Sequence, residues 1–506
     1  MKNQTRRLAF SCLLMAVAFV FFTAGFSQIS DTKNHNERFV HVRISKEITG
    51  KLNIGMGWNN ATVLEGRWLK HDFSREDWDR YFGLMEWSGC HWLRHAVTIT
   101  DWEPFNENQD PEETDWDGFT FNSENMNRHY TFLDQAEKRG IKVLLTNWRL
   151  GARWLTSQDE KWILAHPDNE DEFAESLAAL VYYLKRIKKY QCVWALSLWN
   201  EPNGDWAYIG PESDYPDSFW PLYLSVDKHL RRLGVRDEIL LLGPDTSTGG
   251  KPEHIIEMLE KYGYILDIIS DHDYSAFRGE RMDMSIRSYG NLIADLNEIT
   301  EKELPFVIGE FGNYGAGSQA VDDDERVYSG AMSTVAYLMR MINQGASGLA
   351  RWEFHLYGDT WRNFGALTET DPDYIFKPYG PVYYPHAITS RYVRPGWEVR
   401  KTEIRGVNDD ICASALTSAE NDITIMMLND GKEERYVFLE TDITLRNTIL
   451  HHMSVTGPLP DGIKLHENII FNQSGITIKL LPGSVTTLTS LPVGDLEIPH
   501  KLALKR

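Results

Sequence analysis

Between residues 48 and 394 short apolar runs alternate with longer amphipathic stretches. The apolar runs cover 52–58, 92–97, 142–147, 193–199, 239–243, 265–270, 305–310 and 348–352. Several are continuous rather than alternating, as strands covered on both faces require. The stretches between them, at 74–87, 125–138, 171–188, 218–233, 252–261, 284–300, 325–343 and 382–392, carry helical periodicity. The first opens with Ser74-Arg75-Glu76-Asp77, a side-chain cap for a helix start. Eight strands, each followed by a helix, predict an α/β fold: a (β/α)8 TIM barrel with enlarged loops over 48–394. The alternative is an open doubly wound sheet. No glycine-rich phosphate loop follows the first strand, so a nucleotide-binding fold is disfavoured.

After Arg394-Pro395-Gly396 the period changes. Short runs at 398–404, 410–416, 422–429, 434–439, 449–452, 475–480 and 484–489 are separated by Asn, Asp, Gly and Pro. That spacing predicts a C-terminal antiparallel β-sandwich domain over 395–506. Residues 38–44 also alternate, and the segment 28–47 is expected to lend a strand to that sandwich.

The start of the chain reads differently. Lys2, Arg6 and Arg7 precede an uncharged apolar run at 8–22, then the small residues Thr23, Ala24, Gly25 and Ser27. This is the pattern of a secretory signal peptide over 1–27, and the run is short for a full bilayer span. Cys12 lies inside the run, which disfavours a lipoprotein. The expectation is a secreted or periplasmic protein with no membrane span after signal removal.

Composition narrows the partners. In 506 residues, 52 Lys and Arg face 73 Asp and Glu, a formal charge of −21. An acidic chain argues against nucleic acid and anionic membranes as partners. Seventeen tryptophans exceed the usual needs of a core and suit the flat faces of sugar rings. Cys90, Cys192 and Cys412 are widely spaced and odd in number, which fits buried thiols better than a disulfide framework. No clustered His and Asp spacing suggests a metal site, and no cofactor motif is present.

Reactive groups in such barrels project from the C-terminal ends of the strands. The fourth strand ends in Trp199-Asn200-Glu201-Pro202-Asn203, and the seventh in Ile308-Gly309-Glu310-Phe311-Gly312. Two carboxylates facing each other across one mouth are what glycosidic cleavage uses: one protonates the leaving oxygen, the other meets the developing oxocarbenium charge. Asn-Glu-Pro alone is a weak signal; the pairing of two strand ends is the strong one.

These motifs resemble clan A of the retaining glycoside hydrolases. The resemblance implies that Glu201 is the acid/base, Glu310 the nucleophile, and an oligo- or polysaccharide with β-linkages the substrate. Trp199-Asn200-Glu201-Pro202-Asn203 and Asp271-His272-Asp273-Tyr274 are similar to family 39. Ile308-Gly309-Glu310-Phe311-Gly312 is similar to family 5. The chain has glycine before Glu310 where family 39 has threonine, and Thr146-Asn147-Trp148 where family 5 often has a histidine.

Other rim residues take roles on physical grounds. Asn200 could donate to a sugar 2-hydroxyl, or cap backbone. Arg94 beside Glu310 would keep that carboxylate ionised and oriented, or form a buried structural ion pair. Tyr274 could donate its hydroxyl to Glu310, and His272 lines the same wall, where a packing histidine is the bland reading. Trp352 is the expected floor for the reacting sugar, with Trp148 and Trp58 as further stacking candidates and core packing as their alternative. Loops at 98–122, 203–217 and 354–381 would shape a pocket or a groove, and Trp102, Phe105, Trp116, Trp206, Tyr208, Tyr357 and Trp361 within them suit stacking. The alternatives are a non-catalytic carbohydrate-binding protein on the same scaffold and a metal-dependent barrel hydrolase.

Overall fold

The computed structural model describes residues 39–497, apart from 61–73, 107, 109, 150–166, 168, 205–218, 250–251, 277–278, 301, 314–322, 356–364, 369–375, 407–409 and 472–473. The signal-like segment and the loop aromatics Trp206, Tyr208, Tyr357 and Trp361 lie outside the described residues. Among the described residues no helix is long and apolar enough to cross a membrane.

The described residues begin with β1 (Phe39–Leu52), and a closed barrel of eight parallel strands follows. These are β2 (Gly55–Asn60), β3 (Trp92–Thr98), β4 (Lys142–Arg149), β5 (Val193–Ser197), β6 (Leu240–Ser247), β7 (Ile268–Asp273), β8 (Phe306–Phe311) and β9 (Gly348–Arg351). The barrel closes where Gly55 to Trp58 pair with Gly348 to Arg351. Its helices are α1 (Arg75–Trp87), α2 (Glu124–Arg139), α3 (Glu170–Tyr182), α4 (Phe219–Arg232), α5 (Glu253–Tyr262), α6 (Glu280–Thr300), α7 (Asp324–Asn343) and α8 (Gly380–Ser390). Ser74 caps α1 with a reciprocal Ser74–Asp77 capping box, which satisfies two otherwise orphaned backbone donors.

Strand alternation sorts the side chains. Trp92, Leu144, Ala195, Leu242, Ile268, Val307 and Ala350 point inward and, with Ile54, form a separate apolar cluster inside the barrel. Their neighbours Leu93, Leu145, Leu196, Leu241, Ile269, Ile308 and Leu349 point outward into the larger core beneath the helices. Both faces are therefore dry, which is why these strands read as unbroken apolar runs.

The trailing domain differs from a pair of separate sheets. One ten-stranded, mostly antiparallel sheet curls on itself. It recruits β1, which pairs antiparallel with Trp397–Arg405 and parallel with Arg435–Thr441. Leu52, expected in the first barrel strand, ends β1 instead and pairs with Trp397. Along Ile423–Asn429, Ile423, Ile425 and Met427 fill the sheet's own core, while Met426 and Leu428 join the core shared with the barrel helices. Hydrogen bonds from Asn343 Nδ2 to the Ala413 carbonyl and from Tyr328 to the Gly483 carbonyl fasten α7 to the sheet. Where β1 passes the end of α7, a Cβ on Gly50 would lie 2.5 Å from the Gly345 Cα, so the two backbones meet only because residue 50 is glycine.

Candidate active site

Two residues up each stave from the apolar cluster, the barrel interior becomes polar. Arg94 follows Trp92 on β3, Ser197 follows Ala195 on β5, and Ser270 and His272 follow Ile268 on β7. Simple alternation from Val307 would turn Glu310 outward. Instead the register slips between β7 and β8: Asp271 pairs with Ile308 but His272 with Glu310, leaving Gly309 as an extra residue. The same occurs on β6, where Pro244 pairs with Ser270 and Thr246 with Asp271, so Asp245 is the unpaired residue. Bulges re-aim side chains at sheet rims. Here they bring Glu310 and Asp245 inward. Gly309 is required at its bulge, since a Cβ there would lie 2.6 Å from Ser270 Oγ and 2.9 Å from Asp245 Oδ1.

Arg94 sits at the centre, with 1% of its side chain exposed. Its Nη1 donates to Glu310 Oε1 at 2.6 Å and to Asn59 Oδ1 at 3.2 Å. Its Nη2 donates to Asn200 Oδ1 and to Asp245 Oδ2, both at 2.7 Å, and Nε also reaches Asp245 Oδ2 at 3.3 Å. A guanidinium fork buried this deeply is tolerable only with such complete pairing. Glu310 receives a further hydrogen bond at Oε2 from the Tyr274 hydroxyl, at 2.7 Å. Thus Arg94, Tyr274 and Glu310, singled out separately in the sequence, are in direct contact.

His272 bridges two acids. Its Nδ1 lies 2.9 Å from Glu201 Oε1, and its Nε2 lies 3.0 Å from Asp245 Oδ1. A carboxylate at each nitrogen calls for a proton on both, that is, an imidazolium. Burial works against that charge, but Glu310 and Asp245 outweigh it and push His272 up to about 10. For Asp245, burial works to raise the pKa, yet Arg94 and His272 hold the carboxyl well below the usual carboxylate range. Glu310 departs from the expectation that Arg94 alone keeps it low. Complete burial lifts it, His272 and Arg94 pull it back, Glu201 lifts it again, and the net direction is upward.

Glu201 and Glu310 face each other over the mouth. One ligand-capable atom from each of Glu201, His272 and Glu310 lies within 4.8 Å of the others. Such a trio could gather round a cation, but His272 Nδ1 and both Glu310 oxygens are already engaged with Glu201, Arg94 and Tyr274. The grouping reads as a hydrogen-bond network. Glu201 is held in a left-handed backbone conformation, φ 49°, which costs a non-glycine residue about 1–3 kcal/mol. Its N–H is fixed by the Asp245 carbonyl at 3.0 Å, and the Asn200 N–H by the Asn147 carbonyl at 3.1 Å.

The aromatic expectations divide. Trp148 and Trp352 are half-buried and stacked, with centroids 5.7 Å apart and planes 13° apart. Arg94 lies over the Trp148 ring at 5.5 Å, so this pair forms one wall of the mouth. Trp58 does not belong to it. Its side chain points outward from β2, donates from Nε1 to Ser88 Oγ, and packs on Phe354 and His386. The inward neighbour is Asn59, which holds Arg94 and donates to the Gly309 and Ala350 carbonyls. Trp102 is also core, bonded to Ser176, whereas Phe105 is 72% exposed. Much of the tryptophan surplus therefore serves packing: Trp58, Trp78, Trp87, Trp92, Trp102, Trp199 and Trp397 are all buried. Asn59, Ser197, Ser270 and above all Asp245 are the site residues that motif reading misses. Inward parity counted from Ala195 and Ile268 would have found Ser197 and Ser270, whereas Asn59 has the opposite parity to Ile54.

No protein-family model matches the chain, and a search of curated proteins finds no match. Solved structures do match over nearly their full length. A family 30 glycoside hydrolase endoxylanase from Clostridium papyrosolvens is 16% identical, with a TM-score of 0.63, covering 89% of this chain and 99% of that one. The catalytic domain of a family 30 xylanase from Talaromyces cellulolyticus is 13% identical, with a TM-score of 0.65 and coverage of 89% and 99%. A family 44 xyloglucanase from Paenibacillus polymyxa is 10% identical, with a TM-score of 0.55 and the same coverage. At these identities the likeness establishes the fold alone, an eight-stranded α/β barrel with a trailing sheet domain.

Proposed function

We propose that the chain is a secreted or periplasmic glycoside hydrolase that cleaves β-linked oligo- or polysaccharides with retention at the anomeric carbon. The observation that carries this reading is the approach of Glu201 and Glu310 to within 4.8 Å, atom to atom, across one mouth. Retaining enzymes need carboxyls about 5–5.5 Å apart, and inverting ones leave room for a water between them.

In the first step a Glu310 oxygen attacks the anomeric carbon, the glycosidic C–O bond breaks, and Glu201 gives its proton to the leaving oxygen. In the second, Glu201 takes a proton from water, whose oxygen displaces Glu310 and frees the sugar. Arg94 and Tyr274 orient Glu310 and share its charge. With Asn200 Oδ1 committed to Arg94, its NH2 group is the end left for a sugar 2-hydroxyl. Trp148 and Trp352 offer a flat apolar wall for the ring. The neighbouring structures are, by their names, xylanases and a xyloglucanase, which supports trying xylan and xyloglucan first.

A panel of aryl β-glycosides and polysaccharides, with NMR of the first-formed anomer and a parallel assay in EDTA, tests the reading. Retained configuration and EDTA-resistant turnover are expected. Inverted product overturns the double displacement, and binding without turnover on every member would favour a carbohydrate-binding role.

A further inference from the structure

Asp245 takes no part in the two-step scheme, yet it is the most heavily bonded acid in the barrel. It is fully buried and sits at a bulge with φ 60°. Oδ2 accepts from Arg94 and from Ser197 Oγ at 2.8 Å; Oδ1 accepts from His272 Nε2 and from Ser270 Oγ at 2.8 Å. Its carbonyl accepts the Glu201 N–H. Behind it stands Tyr223, whose hydroxyl donates to the Leu242 carbonyl. Arg94 and His272 are therefore the cations that face it, with Glu201, Glu310 and Tyr274 beyond them.

We propose that Asp245 is a positioning residue for this hydrolysis: by anchoring His272 at Nε2, it makes Nδ1 a donor that pins Glu201 Oε1 and leaves Glu201 Oε2 to carry the acid proton into the mouth. The inference rests on the function proposed above. The same charge sets the proton inventory. Two cations, Arg94 and His272, meet three carboxyls, Asp245, Glu201 and Glu310, so the network is neutral when the glutamate pair holds one proton. One proton on that pair is what the first step consumes. Removing the Asp245 charge leaves two cations against two glutamates, and the network's hold on both the glutamate proton and the His272 proton weakens.

The test uses Asp245→Asn, with Asp245→Glu as the charge-keeping variant. In Asp245→Asn the basic limb of the kcat/KM profile should move down by about 1–3 pH units. Rates on aryl glycosides with poor leaving groups should fall by at least about tenfold more than on dinitrophenyl glycosides, which need no acid. Asp245→Glu should restore much of the limb. Independently of turnover, 15N spectra of the histidines should show one ring doubly protonated at about pH 8 in the native chain and losing a proton at lower pH in Asp245→Asn. A uniform loss of rate with an unmoved limb and an unmoved histidine signal overturns the role of Asp245. A native chain that hydrolyses nothing overturns the function instead, and the histidine spectra still decide whether Asp245 holds the imidazolium.

Discussion

The barrel floor and the barrel mouth lie on the same eight strands, a single layer of side chains apart, and are built to different ends. Below, Leu144, Leu242, Ile268 and Val307 pack without a polar side-chain group, the one indole N–H of Trp92 is met by the Gly55 carbonyl at 2.9 Å, and their burial contributes stability at roughly 25 cal/mol per Å² of apolar surface. Above, Arg94, Asp245, His272 and Glu310 are just as buried, but each charge is tolerable only through its partners. The floor could exchange one apolar residue for another of like volume. In the mouth a change at one member alters the charge that its neighbours face, because Arg94, Asp245, His272 and Glu310 share partners. Strain follows the same division: among the described residues the left-handed acidic ones, Glu201 and Asp245, are at the mouth. Placing chemistry there is costly, and the floor offsets it.

The comparison can be broken most forcefully at Glu310. Glu310→Gln is expected to cut turnover by a factor on the order of 10⁶ while the thermal midpoint stays near or above that of the native chain; full activity would leave the mouth without a reacting group. Glu201→Ala should cost about 10²–10⁴ on poor leaving groups, with azide restoring turnover on activated ones and yielding a glycosyl azide seen by NMR. No rescue would place the acid/base elsewhere. At the floor the sign is reversed: Leu242→Ala should lose about 2–5 kcal/mol of stability in denaturant titration yet keep kcat per folded molecule. A large kcat loss there would erase the distinction between the layers.

Smaller effects follow from pH. A Glu310 raised by burial gains its proton sooner as pH falls, so the acid limb of kcat/KM should lie above the ordinary glutamate value of about 4.3. A limb below that value contradicts the balance of burial over Arg94 and His272. The depressed Asp245 stabilises the fold above its unfolded value of about 3.9 and should cease to do so as pH falls further. Unfolding midpoints between about pH 5 and pH 2, compared with Asp245→Asn, measure that contribution.

The staves were legible because a strand buried on both faces leaves a run that little else produces, as at Val193 to Trp199. Glu201 and Glu310 were legible because strand ends are where a barrel exposes its interior. What stayed hidden depends on which way a side chain turns. Trp58 sits at a strand end but points outward, while Asn59 beside it faces the mouth. Asp245 turns inward only because β6 carries an extra residue, and no local motif announces a bulge. The expected sandwich emerged as one curling sheet because β1, distant in sequence, continues it.

That borrowed strand has a consequence for biosynthesis. Of the described strands β1 is made first, but its antiparallel neighbour, Trp397–Arg405, emerges only after every stave of the barrel has been made. The opening segment must wait, unpaired, through most of translation, and closure of the trailing sheet becomes a late, long-range event of the slow-folding kind. The trailing sheet thus holds a strand made before the barrel, and cutting that sheet away to obtain a free-standing barrel would leave β1 as a bare edge open to aggregation.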